Sequence, residues 1–143
     1  MNHITLTELN YMECARYLGY GKNAPDEMTE KLMRECESEL LDYAVPRFVY
    51  KIFDIDRQNE KIRLSGTELW LTGDSIKEHL AECSRLILLC ATLSDNVDRL
   101  IRKTEIKDMA KALVMDAMAV VAVEQVCDKA EEHIRDKYLT KYT

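Results

Sequence analysis

The segment Met109-Ala-Lys-Ala-Leu-Val-Met-Asp-Ala-Met-Ala-Val-Val-Ala-Val-Glu-Gln-Val-Cys127 decides the fold. Its apolar residues surround a helix on nearly every side, the pattern of a buried rod. The rod belongs to a last long helix predicted from about Ile106 to Tyr138, with fraying at Thr140 to Thr143. At about 100° per residue, Asp116 and Glu124 lie about 80° apart around the axis. They share the side of Met109, Leu113, Val120 and Cys127, a stripe expected to face the core, while Lys111 points roughly the other way.

An unpaired buried carboxylate costs several kcal/mol, so each of the two needs a cation, a hydrogen-bond donor, a raised pKa or a ligand beside it. For Asp116 the simpler reading is a structural pair with an arginine or lysine of a neighbouring helix. For Glu124, structure and ligand contact stand level. Eight helical residues separate their Cα atoms by about 12 Å, too far for the carboxylate pair of a glycosidase.

Working outward, Ser94 or Asp95 caps a short helix carrying Val97, Leu100 and Ile101. Before it, Asp74 or Ser75 caps a helix whose stripe is Ile76, Leu80, Cys83, Ile87 and Cys90. The period changes further upstream. Arg47 to Ile55 is rich in β-branched and aromatic residues and reads as a strand; Asp56 to Lys61 turns the chain into Ile62-Arg63-Leu64, and Leu69-Trp70-Leu71 forms a third strand. Two helices precede this meander, one within Leu6 to Leu18 that stops at Gly19-Tyr20-Gly21, the other starting at Pro25 and ending before Pro46. The expectation is an α+β fold, mostly helical, with one small antiparallel hairpin or meander between the N-terminal helices and a C-terminal helical group. Residues 1–143 read as one domain.

Composition narrows the function. Twenty-six acidic against 20 basic residues give a net charge of −6, which argues against nucleic-acid binding by bulk charge. Four glycines and two prolines favour long helices over a turn-rich β fold. Neither a signal peptide nor a run of about 18 apolar residues is seen, so a cytoplasmic location without membrane insertion is expected. The five cysteines, Cys14, Cys36, Cys83, Cys90 and Cys127, form no Cys-x-x-Cys pair and read as reduced and mostly buried, with Cys83 and Cys90 packed on one helix face.

The sequence assembles no catalytic constellation. His3, His79 and His133 stand singly, and Gly19-x-Gly21 follows a helix and lacks the third glycine of a dinucleotide fingerprint. The cluster Arg99, Arg102, Lys103, Lys107 reads as a solvated face, and Tyr17, Tyr20 and Trp70 as packing residues. An independent enzyme is the least favoured class.

The order of segments carries a resemblance that spans nearly the whole chain. Arg16-Tyr17-Leu18-Gly19-Tyr20, then Leu69 to Leu80 with Cys83, Ala91 to Asp98, Met115-Asp116-Ala117 and Val123-Glu124-Gln125-Val126-Cys127-Asp128 together resemble the stand-alone activation subunit of cobalamin-dependent methionine synthase. The resemblance implies an α+β domain that binds S-adenosylmethionine and docks over a corrinoid carried by the synthase. There, electron delivery from a flavodoxin-type donor is coupled to methyl transfer, restoring methylcobalamin. It also implies that Glu124, by its place in Val-Glu-x-x-Cys-Asp, contacts S-adenosylmethionine, with Asp116 as a second cofactor-binding candidate.

Two departures accompany the likeness. The family's arginine and Gly-Tyr ligand loop lies downstream of the long helix, whereas all four glycines here are at positions 19, 21, 66 and 73; Ser94 stands where many relatives place glycine. The chain then corresponds either to an N-terminal portion of a longer family member or to a shortened relative that retains docking. The contrasting reading is a non-catalytic helical interaction protein, for which a homo-oligomer would cover the exposed surface.

Overall fold

The structure, a computed structural model, describes residues 1–138, and the fraying expected at Thr140 to Thr143 lies outside them. The fold is α+β, mostly helical with a small antiparallel sheet. The elements run β1 (Asn2–His3), α1 (Tyr11–Tyr17), α2 (Glu27–Tyr43), β2 (Arg47–Gln58), β3 (Lys61–Leu64), β4 (Trp70–Leu71), α3 (Asp74–His79), β5 (Arg85–Thr92), α4 (Asp95–Lys107) and α5 (Met109–Tyr138). They fall into two compact units, one holding Met1–Phe48 and the chain from Ala91 onward, the other Val49–Cys90.

In the larger unit α5 is the central rod, packed against α2, α4 and α1. Its buried side is made by Ala112, Met115, Met118, Val121, Ala122, Val126 and Ala130. Small residues there let neighbouring helices approach closely, and Met115, Met118, Met33 and Leu40 fill the space between them. Asp108 joins two helices: its N–H donates to the Thr104 carbonyl at 2.8 Å, ending α4, and its carboxylate accepts from the Lys111 N–H at 3.0 Å, starting α5. Asn10 and Asp26 cap α1 and α2 in the same way, accepting from Glu13 and Thr29 N–H groups. The short strand β1 pairs antiparallel with the start of β2, Asn2 opposite Phe48.

In the smaller unit β2 and β3 form a hairpin whose connection is only Asn59-Glu60, both at positive φ (51° and 67°). Two such residues give a turn whose twist matches the flanking strands. Arg63 stands opposite Asp56 on one side and Trp70 on the other; it pairs with the carboxylate at 2.7 Å and lies over the indole at 5.6 Å. Arg57 donates to the carbonyls of Leu80 and Cys83, satisfying groups just beyond α3.

The chain departs from expectation after Gly73. The helix there spans only Asp74–His79, and Arg85-Leu-Ile-Leu-Leu-Cys-Ala-Thr92 is strand β5, paired with β2. A short, continuous apolar run does not distinguish a strand from a buried helix by period alone, and residues 86–89 are such a run. Cys83 and Cys90 therefore share no helix face, and Cys90 is exposed; only Cys14 and Cys36 are buried. Burial pushes those two thiols up, Cys14 to about 11 and Cys36 to about 12. No helix among the described residues is long and apolar enough to cross a membrane.

Candidate functional site: an acidic outer face of the long helix

The α5 stripe expected to face the core is its outer face. Met109, Leu113, Asp116, Val120 and Glu124 are exposed, and Cys127 is partly so. The reason is the near-complete apolar circumference of α5, which carries large apolar residues on both sides; the side with Met115, Met118 and Val126 is the buried one. Lys111 does point the other way: it lies against α2, 2.6 Å from Glu39 and 3.9 Å from Glu35, and these carboxylates hold its pKa above the ordinary lysine range.

Glu124 is positioned by α1. The Tyr17 hydroxyl donates to its Oε1, and the Arg16 guanidinium sits 4.8 Å from the Tyr17 ring centroid. Arg16 is itself paired with Glu13 at 2.8 Å, which draws the Glu13 carboxyl below its usual range. The hydrogen bond to Glu124, then desolvation, raise the Tyr17 phenol above its ordinary value. Among the described residues Glu124 forms no ion pair, so its charge is oriented but not neutralised. Tyr17, read from sequence as packing, is thus the residue that orients the carboxylate; its place one helix turn from Cys14 gave no sign of that long-range bond.

Asp116 is elsewhere on the same face. It lines a cleft of about 260 Å³ to which α4 and α5 both contribute, lined also by Leu93, Ser94 and Asp98. The structural pair with a neighbouring cation, expected for Asp116, is not formed among the described residues. Ser94 takes φ 79° and ψ 161°, a region normally left to glycine. Its hydroxyl donates to the Val45 carbonyl at 2.8 Å, and its N–H donates to Thr92 Oγ1 at 3.0 Å. These two bonds hold a turn for which glycine is the natural choice.

The other candidates stay apart from this face. Lys103 and Lys107 border a second cleft with Glu39, Tyr43 and Asp108. His79 is exposed at the end of α3, and the His133 ring stands edge-on to Phe48 with centroids 5.6 Å apart. No group of three or more metal-ligating side chains occurs among the described residues.

The carboxylate of Glu124 fits a cationic ligand by charge, and its exposure offers one open wall instead of an enclosed pocket. Fold and site together define an α+β chain with a carboxylate-bearing helix face. No protein-family model matches the sequence, and no curated protein matches it.

Proposed function

We propose that this chain is a cytoplasmic accessory subunit, or part of one, that assists reductive reactivation of a cobalamin-dependent methionine synthase, with S-adenosylmethionine as methyl donor. The observation that carries the reading is the Glu124 carboxylate, aimed by Tyr17 and left without a cation on the outer face of α5. An exposed glutamate needs no partner of its own, so the support lies in the Tyr17 hydrogen bond that fixes the direction of an un-neutralised carboxylate. The ordered resemblance of segments around Tyr17 and Glu124 supports the same reading.

In this role the chain's residues bind and orient. S-adenosylmethionine would supply the methyl group, and the corrinoid carried by the synthase would accept it. Glu124 would face the ligand's positive charge, and Tyr17 would fix the carboxylate's rotamer. Because the Glu124 surface is open, the remaining walls would come from the docked synthase. An electron donor of flavodoxin type would act on the corrinoid and need not touch this chain.

The test is a thermal-shift titration. A ligand at 100 times its dissociation constant stabilises the folded state by about 2.7 kcal/mol. S-adenosylmethionine is expected to raise Tm for the chain, alone or with the synthase's corrinoid domain, and Glu124→Ala to abolish the rise. No rise under either condition contradicts the ligand role.

A further inference from the structure

We propose that β5 is a dimerisation strand, whose outer edge pairs antiparallel with β5 of a second copy about a two-fold axis beside Leu88 and Leu89. Among the described residues β5 pairs with β2 alone. The Ile55 N–H donates to the Ser84 carbonyl at 2.9 Å where that pairing begins. Backbone groups of β5 that alternate with the bonded ones point away from β2, and no further strand meets them.

This edge lacks the protection that outer strands usually carry. The other outer strands of the sheet, β1 and β4, are two residues each, too short to template a neighbour. β5 has eight residues, and after Arg85 the run Leu86-Ile-Leu-Leu-Cys-Ala91 holds neither a charge nor a proline to turn another strand away. Successive side chains of a strand point to opposite faces, and Ile87 is 40% and Leu88 48% exposed. Apolar surface is therefore open on both faces as well as along the edge.

A row of unpaired N–H and C=O groups selects an extended strand as its occupant. Charge and closure select the chain's own β5. Arg85 is the sole charge of the strand, and antiparallel pairing centred on Leu88 or Leu89 keeps the two Arg85 residues about 20 Å or more apart, well beyond the screening length of about 8 Å. Parallel pairing would set them side by side. The two-fold contact also uses up both long edges, so the joined sheets end on two-residue strands and assembly stops at two. Pairing over about seven residues supplies about seven hydrogen bonds, within the range of about 5 to 15 found in specific interfaces. The inference does not rest on S-adenosylmethionine binding, since no residue of β5 is assigned to that ligand.

The test is a charge swap at the axis. In either centred register the two Leu88 side chains lie within about 8 Å, so a like-charged pair there repels and an opposite pair attracts. Light scattering on the chain at about 100 μM is expected to give the mass of a dimer, with Leu88→Lys and Leu88→Glu each monomeric and their equimolar mixture dimeric again. Circular dichroism confirms that each variant is folded, and recovery in the mixture separates a lost contact from a lost fold. Amide hydrogen exchange across β5 is expected to be at least about tenfold slower in the dimer than in either variant. A monomer up to millimolar concentration, growth beyond the dimer, a dimer that both substitutions leave intact, or a mixture that stays monomeric would overturn the proposal.

Discussion

Tyr17 and Glu124, 107 residues apart in sequence, are joined by a hydrogen bond that ties the first helix to the outer face of the last. The bond leaves a signature in the phenol, raised because its neutral form donates to a carboxylate. Glu124→Gln is expected to bring the Tyr17 pKa down toward the ordinary tyrosine value of about 10. Phenolate absorbance, with Tyr17→Phe identifying the site, checks this; an unchanged Tyr17 titration would mean that the two side chains do not meet in solution.

Alkaline pH weakens the fold through Tyr11. Its hydroxyl donates to Glu37 at 3.0 Å, and burial followed by that bond raises its pKa to about 12. The unfolded chain releases the same proton near pH 10, so between about 10 and 12 the unfolded state holds fewer protons and stability falls as pH rises. Below pH 10 the contribution is fully present. Urea denaturation across this range is expected to show a decline that is shallower in Tyr11→Phe.

At Ser94 two effects oppose each other. The glycine-like backbone costs about 1–3 kcal/mol, while the hydroxyl bond to Val45 returns about 0.5–1.5 kcal/mol. Ser94→Ala keeps the strain and loses the bond, and is expected to destabilise by about 1 kcal/mol. Ser94→Gly removes both and is expected to be neutral or stabilising by up to about 1 kcal/mol. Denaturant midpoints of the two variants must differ in that order.

The buried sulfur of Met115 is at the centre of the larger unit, with the Thr104 hydroxyl 3.8 Å away while that hydroxyl also donates to the Leu100 carbonyl at 2.8 Å. Met115→Ala is expected to cost about 2–5 kcal/mol, against less than about 0.5 kcal/mol for Leu113→Ala on the exposed side of the same helix. Equal costs would mean that the two faces of α5 had been exchanged.

Much of this architecture was legible in the residues, and its failures have physical causes. Caps, glycines and the change of period at Arg47 located α1, α2 and the β2–β3 hairpin. Strand β5 was hidden by its uniform apolarity, and β1, only two residues long, carries no pattern. The face of α5 was misread because large apolar residues occur on both of its sides. Asp116 and Glu124 were themselves the better guide, since carboxylates are rarely fully buried without a partner. Their outward position, and the burial of Met115, Met118 and Ala122 opposite, follow from that rule. The Tyr17–Glu124 bond depends on how α1 crosses α5, which no local spacing encodes.

The central claim is that Glu124 meets a positively charged small molecule, and calorimetric titration with S-adenosylmethionine and its uncharged-sulfur analogue S-adenosylhomocysteine tests it most directly. Saturable heat is expected with S-adenosylmethionine, with weaker binding of the analogue and loss of that discrimination in Glu124→Gln. Absence of binding to the chain both alone and with the synthase's corrinoid domain, or affinity for S-adenosylmethionine that is the same with and without the Glu124 carboxylate, would contradict it.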